Sequence, residues 1–132
     1  MKAILIIALF GLSLCNGADT VIQCAKEQLG KPYSYGAEGP SSFDCSGLVK
    51  YCYAKAGIDL PHKASLQAGY GTTVTSYQAA DLLFFNKGTK VSDINHVAIY
   101  AGNNKYIEAP SKGLNVRFQS MRRKVFLAKR LF

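Results

Sequence analysis

After Gly71 the chain changes its period, and that change limits the possible folds more than any other feature. Before it, apolar residues recur at helical spacing. Val21, Ile22, Ala25 and Leu29 form one stripe, with Asp19 or Thr20 as its cap and Gly30 and Pro32 as its stop. Lys31 to Phe43 reads as a loop rich in Gly, Pro and Ser. Cys45, Leu48, Val49, Cys52 and Ala56 form a second stripe, with Asp44 at the N-cap position and Gly57 at the end. A short helical turn is expected around Ala64 to Ala68. After Gly71 come short β-rich segments: Leu82–Phe85, His96–Ala101, Lys105–Ala109, Leu114–Phe118 and Val125–Leu131. Helices first and strands later predict an α+β fold, with N-terminal helices packed on a five- to six-stranded antiparallel sheet.

The first residues read as a segment apart. Lys2 gives a positive start, and Ala3 to Leu14 is an apolar run of signal-peptide length, too short to span a bilayer. Asn16-Gly17 breaks that run, so residues 1–17 are expected to be a signal peptide cut after Gly17. A retained core helix, a membrane anchor or a lipid-bearing Cys15 are weaker readings. Residues 18–132 then form a single domain of about 115 residues, long enough for one hydrophobic core. The expected location is extracellular, with no stable membrane insertion.

Formal net charge is +8, and Arg117, Arg122, Arg123, Lys124, Lys129 and Arg130 fall in one stretch with no acid. Such a stretch either attracts an anionic polymer or is a solubilising face. Common nucleic-acid-binding motifs are missing, so nucleic acid is not an expected partner. Cys24, Cys45 and Cys52 remain after the signal. An odd count suggests a free thiol. Cys24 and Cys52 can be bridged or can be buried and reduced, and the second is preferred. No CxxC pair exists, and His62 and His96 lack ligand spacing, so neither metal nor cofactor is expected.

The strongest local signal is Phe43-Asp44-Cys45-Ser46-Gly47. It sets a cysteine in the first turn of a helix, where unpaired N–H groups and the helix dipole stabilise negative charge. The thiolate is the reactive form of cysteine. Taken alone, Cys45 is more often a small hydrophobe. His96 strengthens the catalytic reading. It opens a strand in which His96, Ala98 and Tyr100 share one face, while Val97, Ile99 and Ala101 face the core. From there it can act as base towards Cys45. Glu108 is the natural third member, holding the imidazole in its useful tautomer. That role depends on register. A loop of Gly102-Asn103-Asn104 pairs Ala101 with Lys105 and sets Glu108 diagonal to His96 on the same face. A shorter loop of Asn103-Asn104 pairs Gly102 with Lys105 and sends Glu108 to the other face. The first register is expected.

Together these residues resemble the NlpC family of papain-like cysteine peptidases, the peptidoglycan endopeptidases. The likeness runs from about Ala25 to Val116. It covers Gly30-Lys31-Pro32-Tyr33-Ser34-Tyr35-Gly36, Phe43 to Val49, Leu60-Pro61, Ser65-Leu66-Gln67, Asp81 to Phe85, and His96 to Tyr100 with Gly102-Asn103. The resemblance implies a papain-like fold, Cys45 as nucleophile, His96 as base and backbone N–H groups near Cys45 as oxyanion hole. It implies that Tyr33, Asp44 and Ser46 recognise the start of a stem peptide. It also implies cleavage between γ-D-glutamate and the diamino acid. The implied partner is peptidoglycan; separately, the chain is expected to be a monomer. Two positions depart from the family pattern. Glu108 stands where a second histidine is usual, and His62 stands where an arginine is common. A papain-like amidase or acyltransferase on another amide, or a non-catalytic cell-wall-binding module, are the competing readings.

Overall fold

A computed structural model describes residues 16–132. The expected signal peptide therefore lies outside the described residues, apart from Asn16 and Gly17. Among the described residues three helices precede the sheet: α1 (Gly17–Glu27), α2 (Cys45–Lys55) and the single turn α3 (Ala64–Gln67). The α1 cap is neither Asp19 nor Thr20. Asn16 takes that place, its Oδ1 accepting from the Asp19 N–H at 2.9 Å. The helix thus starts earlier than its apolar stripe, because a cap needs only one side-chain oxygen ahead of the first turn.

Six antiparallel strands follow: β1 (Thr72–Thr73), β2 (Leu82–Asn86), β3 (Ile94–Gly102), β4 (Lys105–Glu108), β5 (Arg117–Ser120) and β6 (Leu127–Arg130). Their order is β1-β6-β2-β3-β4-β5. The fold is thus the expected α+β arrangement, helices packed on an antiparallel sheet. Strand β5 starts later than the segment Leu114–Phe118 suggested. Residues 114–116 are instead tied to the loop after α1: Tyr33 N–H donates to Leu114 O and Val116 N–H to Lys31 O. That tie fixes the loop carrying Tyr33 to the sheet.

Alternation along the strands makes two cores. Leu82, Phe84, Val97, Ile99 and Ile107 face the helices and pack with Val21, Ala25, Leu48, Val49 and Tyr53. Leu83, Phe85, Ala98, Tyr106 and Ala128 cluster on the outer face. The expected core face of β3 is therefore the helix-facing one. His96 sits on the other side, against Phe85.

Cys24 and Cys52 join α1 to α2 as a disulfide, contrary to the preferred reduced reading. Their Cα atoms are 5.4 Å apart, within the span a bridge requires. Helical periodicity put Cys52 on a core face; only the packing of α1 against α2 brings Cys24 to it. The bridge closes a loop with a sequence separation of 28. Cys24→Ala/Cys52→Ala is expected to lower unfolding free energy by about 3–4 kcal/mol. A denaturant midpoint unchanged from the oxidised protein would refute this.

The basic C-terminal stretch is not one free face. Arg130 forms a two-point pair with the buried Asp81, at 2.9 and 2.8 Å. Arg117 turns towards Glu108. Two of the six cations are therefore used to hold the sheet.

Candidate active site

Cys45 is the first residue of α2, half-buried and, among the described residues, the free cysteine. Its position follows from Asp44. The carboxylate accepts from Gly47 N–H at 2.7 Å through Oδ1 and from Gly36 N–H at 2.8 Å through Oδ2. One side chain thus caps the helix and pins the preceding loop to it. Gly47 is required because a Cβ there would lie 2.0 Å from the Ala37 carbonyl oxygen. The Cys45 and Ser46 N–H groups precede the first intrahelical bond, which is Leu48 N–H to Asp44 O. They belong to the same first turn that carries the thiol. Gln67, fully buried, donates to Ser46 O at 3.0 Å and to Pro61 O at 2.9 Å. It braces this turn from behind, a role that sequence matching alone does not reveal.

His96 is brought to the thiol by a bulge. Phe85 pairs with His96, but Asn86 pairs with Ile94, leaving Asn95 as an extra residue on β3. Ile94 and Val97 belong to the helix-side core. His96 is freed from strict alternation with Ile94 and reaches the N-terminus of α2. Its Nε2 lies 2.7 Å from Glu108 Oε1, which leaves Nδ1 as the ring nitrogen for the Cys45 thiol. Burial works to lower the His96 pKa. Interaction with Cys45 and with Glu108 outweighs it, and the pKa rises to about 9.

Glu108 reaches His96 by neither anticipated loop alone. Gly102 pairs with Lys105, so the turn is the shorter Asn103-Asn104, both with positive φ. The expected pairing of Ala101 with Lys105 is incorrect. A bulge at Ala101 then restores the parity that this turn would have reversed: Tyr100 pairs with Tyr106 and Ile99 with Ile107. Glu108 ends on the His96 face, as expected, through two compensating irregularities. Asparagine tolerates the left-handed region, which explains Asn103 and Asn104 there.

A fourth member went unforeseen. Arg117, opposite Glu108 on β5, donates through Nε to Glu108 Oε2 at 3.0 Å. Burial would raise the Glu108 pKa, but His96 and Arg117 hold it below the usual carboxylate value. Arg117 was visible only as one cation in a basic run; the cross-strand register of β4 and β5 assigns it.

Beside Cys45 lies a cavity of about 490 Å³ lined by Tyr33, Asp44, Ser46 and His62. The three residues expected to recognise substrate are thus gathered on the thiol side. Burial, then the Cys45 and Asp44 groups, push the Tyr33 phenol up, so it keeps its proton and can donate. His62 joins two acids: Nε2 is 2.7 Å from Asp44 Oδ1, and Nδ1 is 2.7 Å from Glu38 Oε2. Burial opposes its positive charge, but Asp44 and Glu38 prevail and raise its pKa.

Known proteins resemble this chain in sequence and fold. Residues 30–131 match the NlpC/P60 family. Over 96 residues the chain is 46% identical to probable endopeptidase p60 of Listeria monocytogenes, covering 71% of this chain and 19% of that protein. Over 122 residues it is 38% identical to the peptidoglycan endopeptidase RipA of Mycobacterium tuberculosis, covering 81% and 25%. It therefore spans about a fifth to a quarter of the length of these relatives. The crystal structure of the NlpC/p60 domain of the peptidoglycan hydrolase SagA superposes with a TM-score of 0.78 at 32% identity, covering 88% of this chain and 99% of that one. NlpC2 from Trichomonas vaginalis superposes at 0.79 with 27% identity, covering 87% and 47%. The match spans the Tyr33 loop, the Cys45 helix and the strands bearing His96 and Glu108, and on that extent the chain belongs to the NlpC/P60 family.

Proposed function

We propose that this chain is a secreted cysteine endopeptidase that hydrolyses peptidoglycan stem peptides, cutting between γ-D-glutamate and the diamino acid. The observation that carries the reading is the ordered row Cys45, His96, Glu108, Arg117, joined by contacts of 2.7 Å from His96 to Glu108 and 3.0 Å from Glu108 to Arg117. Names of relatives such as RipA and SagA support the substrate class.

The chemistry follows from the geometry. His96 takes the Cys45 proton, and the sulfur attacks the amide carbonyl carbon. The oxyanion is stabilised by the backbone N–H groups of the first turn that carries Cys45. The His96 imidazolium then gives its proton to the leaving amine as the C–N bond breaks, leaving a thioester on Cys45. Water, deprotonated by His96, cleaves the thioester and releases the acid. Glu108 holds the ring by Nε2 and stabilises its protonated form, and Arg117 holds Glu108 charged.

Mass spectrometry of muropeptides after digestion tests the reading. New amines adjacent to D-glutamate are expected. New reducing ends without new amines would overturn it. A non-catalytic binding module would give neither.

The remaining free cations should act on the intact wall. Binding to insoluble peptidoglycan is expected to weaken steeply from low to physiological salt, because a polymer engages several charges at once. Cleavage of a small soluble stem peptide should change far less. Equal salt sensitivity of both would place the effect in the site itself.

A further inference from the structure

A second cavity, of about 540 Å³, opens on the other side of the dyad. His96 and Glu108 form part of its wall, and Lys87, Arg117, Arg122 and Arg123 ring it. Asn95, the bulged residue of β3, lines both this cavity and the one beside Cys45. The two depressions therefore adjoin at Asn95, the residue next to His96. One is walled by the nucleophile and the other by its base.

The charge balance of the second cavity is uneven. Its acid, Glu108, is already held by His96 and Arg117. None of the ion pairs among the described residues includes Lys87, Arg122 or Arg123. Arg123 is nonetheless positioned, its guanidinium 4.5 Å over the Phe85 ring. Arg122 donates through Nη2 to Gln119 Oε1 at 3.3 Å. These contacts orient both guanidinium groups without neutralising them. A concave wall with several uncompensated cations selects an anion.

Which half of the substrate lies there follows from the mechanism. The acyl half stays bonded to Cys45 and occupies the cavity that Cys45 lines. The amine half takes its proton from His96 Nδ1, beside Cys45, and the peptide beyond it continues past Asn95, which lines both cavities. We propose that the basic cavity receives the leaving, diamino-acid half of the peptide and binds its free carboxylate through Arg122 and Arg123, with Lys87 at the mouth. This rests on the peptidase reading for the direction of the substrate. The anion preference itself does not. Arginine suits the task because its planar fork matches a carboxylate at two points.

Two measurements test it. The first compares a stem tripeptide ending in a free diamino-acid carboxylate with the same peptide ending in a carboxamide. The wild-type protein should cleave the carboxylate form with roughly tenfold higher kcat/KM, the size of one charge-assisted contact. Arg122→Gln/Arg123→Gln should lose that preference to within about twofold and leave cleavage of the carboxamide unchanged. A preference that persists in the variant, or an equal fall for both peptides, overturns the assignment.

The second uses Cys45→Ala protein and needs no turnover. The free diamino acid and its carboxamide are titrated separately, with inorganic phosphate as a third probe, while backbone signals of Ser111 and Gln119 are followed by NMR. Binding of the carboxylate form, weakened roughly tenfold or more by Arg122→Gln/Arg123→Gln, sustains the site. Equal binding of the carboxamide, or none of either, overturns it. Phosphate binding without diamino-acid binding also overturns it and points to phosphate-bearing wall polymer instead. If the diamino acid binds through its carboxylate while the wild-type protein cleaves no stem peptide, the anion site stands and the peptidase reading falls.

Discussion

Cys45→Ala is expected to lower stem-peptide hydrolysis by at least roughly four orders of magnitude, about 5 kcal/mol of barrier, with the fold retained. Neither His96 nor Glu108 can replace the sulfur, since both lie on the strand side and hold each other at 2.7 Å. The fold should survive because Asp44, not Cys45, caps α2, and alanine is the best helix former. The disulfide is untouched, since it joins Cys24 and Cys52. Circular dichroism and the melting temperature should stay near wild type while product release vanishes. A folded Cys45→Ala protein that still turns over would remove the nucleophile from the mechanism.

Glu108→Ala should lower turnover by roughly one to three orders of magnitude, about 1.4–4 kcal/mol of barrier. Arg117 shifts the expectation towards the larger loss. Without the carboxylate, its guanidinium remains close to the ring and opposes the imidazolium. Glu108→Gln should fall between wild type and alanine, because it can orient Nε2 but supplies no charge. Glu108→His should keep much of the activity by accepting from the His96 ring in neutral form. The pH profile separates charge from orientation. His96 keeps its proton until about pH 9, above its ordinary 6.5, so activity that needs the imidazolium should decline above about 9. In Glu108→Gln that limb should move down towards 6.5. Unchanged turnover in Glu108→Ala would assign the third position elsewhere.

The same two shifts predict a stability window. The raised pKa of His96 contributes stability that is fully present below 6.5 and fades as pH rises through about 9. The lowered pKa of Glu108 contributes stability present above 4.5 and lost as pH falls through its folded value. Both contributions are whole between those limits. The difference in melting temperature between wild type and Glu108→Gln should therefore be greatest from about pH 4.5 to 6.5 and shrink on either side.

The helices and most strands could be read from the sequence because period and capping are local. Asp44 at the cap, Cys45 behind it and the alternation from His96 to Ala101 all lie within a few residues of their causes. The bulges at Asn95 and Ala101 could not be read, since one extra residue reverses a face without altering composition. Glu108 was placed on the right face by an incorrect turn, the error at Gly102 being cancelled at Ala101. Arg117 and Arg130 looked alike in a basic run, and only pairing across strands separates the one that holds Glu108 from the one that holds Asp81. The two-residue strand Thr72–Thr73 has too little length to show a period. In the sequence, His62 shows only as a departure from the family pattern. Its bridge between Asp44 and Glu38 needs the loop and α2 to be folded together.

The strand order has a consequence for how the molecule is made. Strands β2 to β5 are neighbours in sequence order and can zip together as they emerge during synthesis. Strand β6 comes last, yet it lies between β1 and β2, where Thr72 pairs with Arg130 and Leu82 with Lys129. Until Leu127–Arg130 arrive, β2 keeps an open edge, and Asp81 lacks its cation. Pairings of such long separation form slowly. The surface bearing His96 and Glu108 can thus take shape early, while the final seam of the sheet waits for Leu127–Arg130 to be synthesised. A chain held at that stage exposes an unpaired edge to its copies, the usual beginning of aggregation.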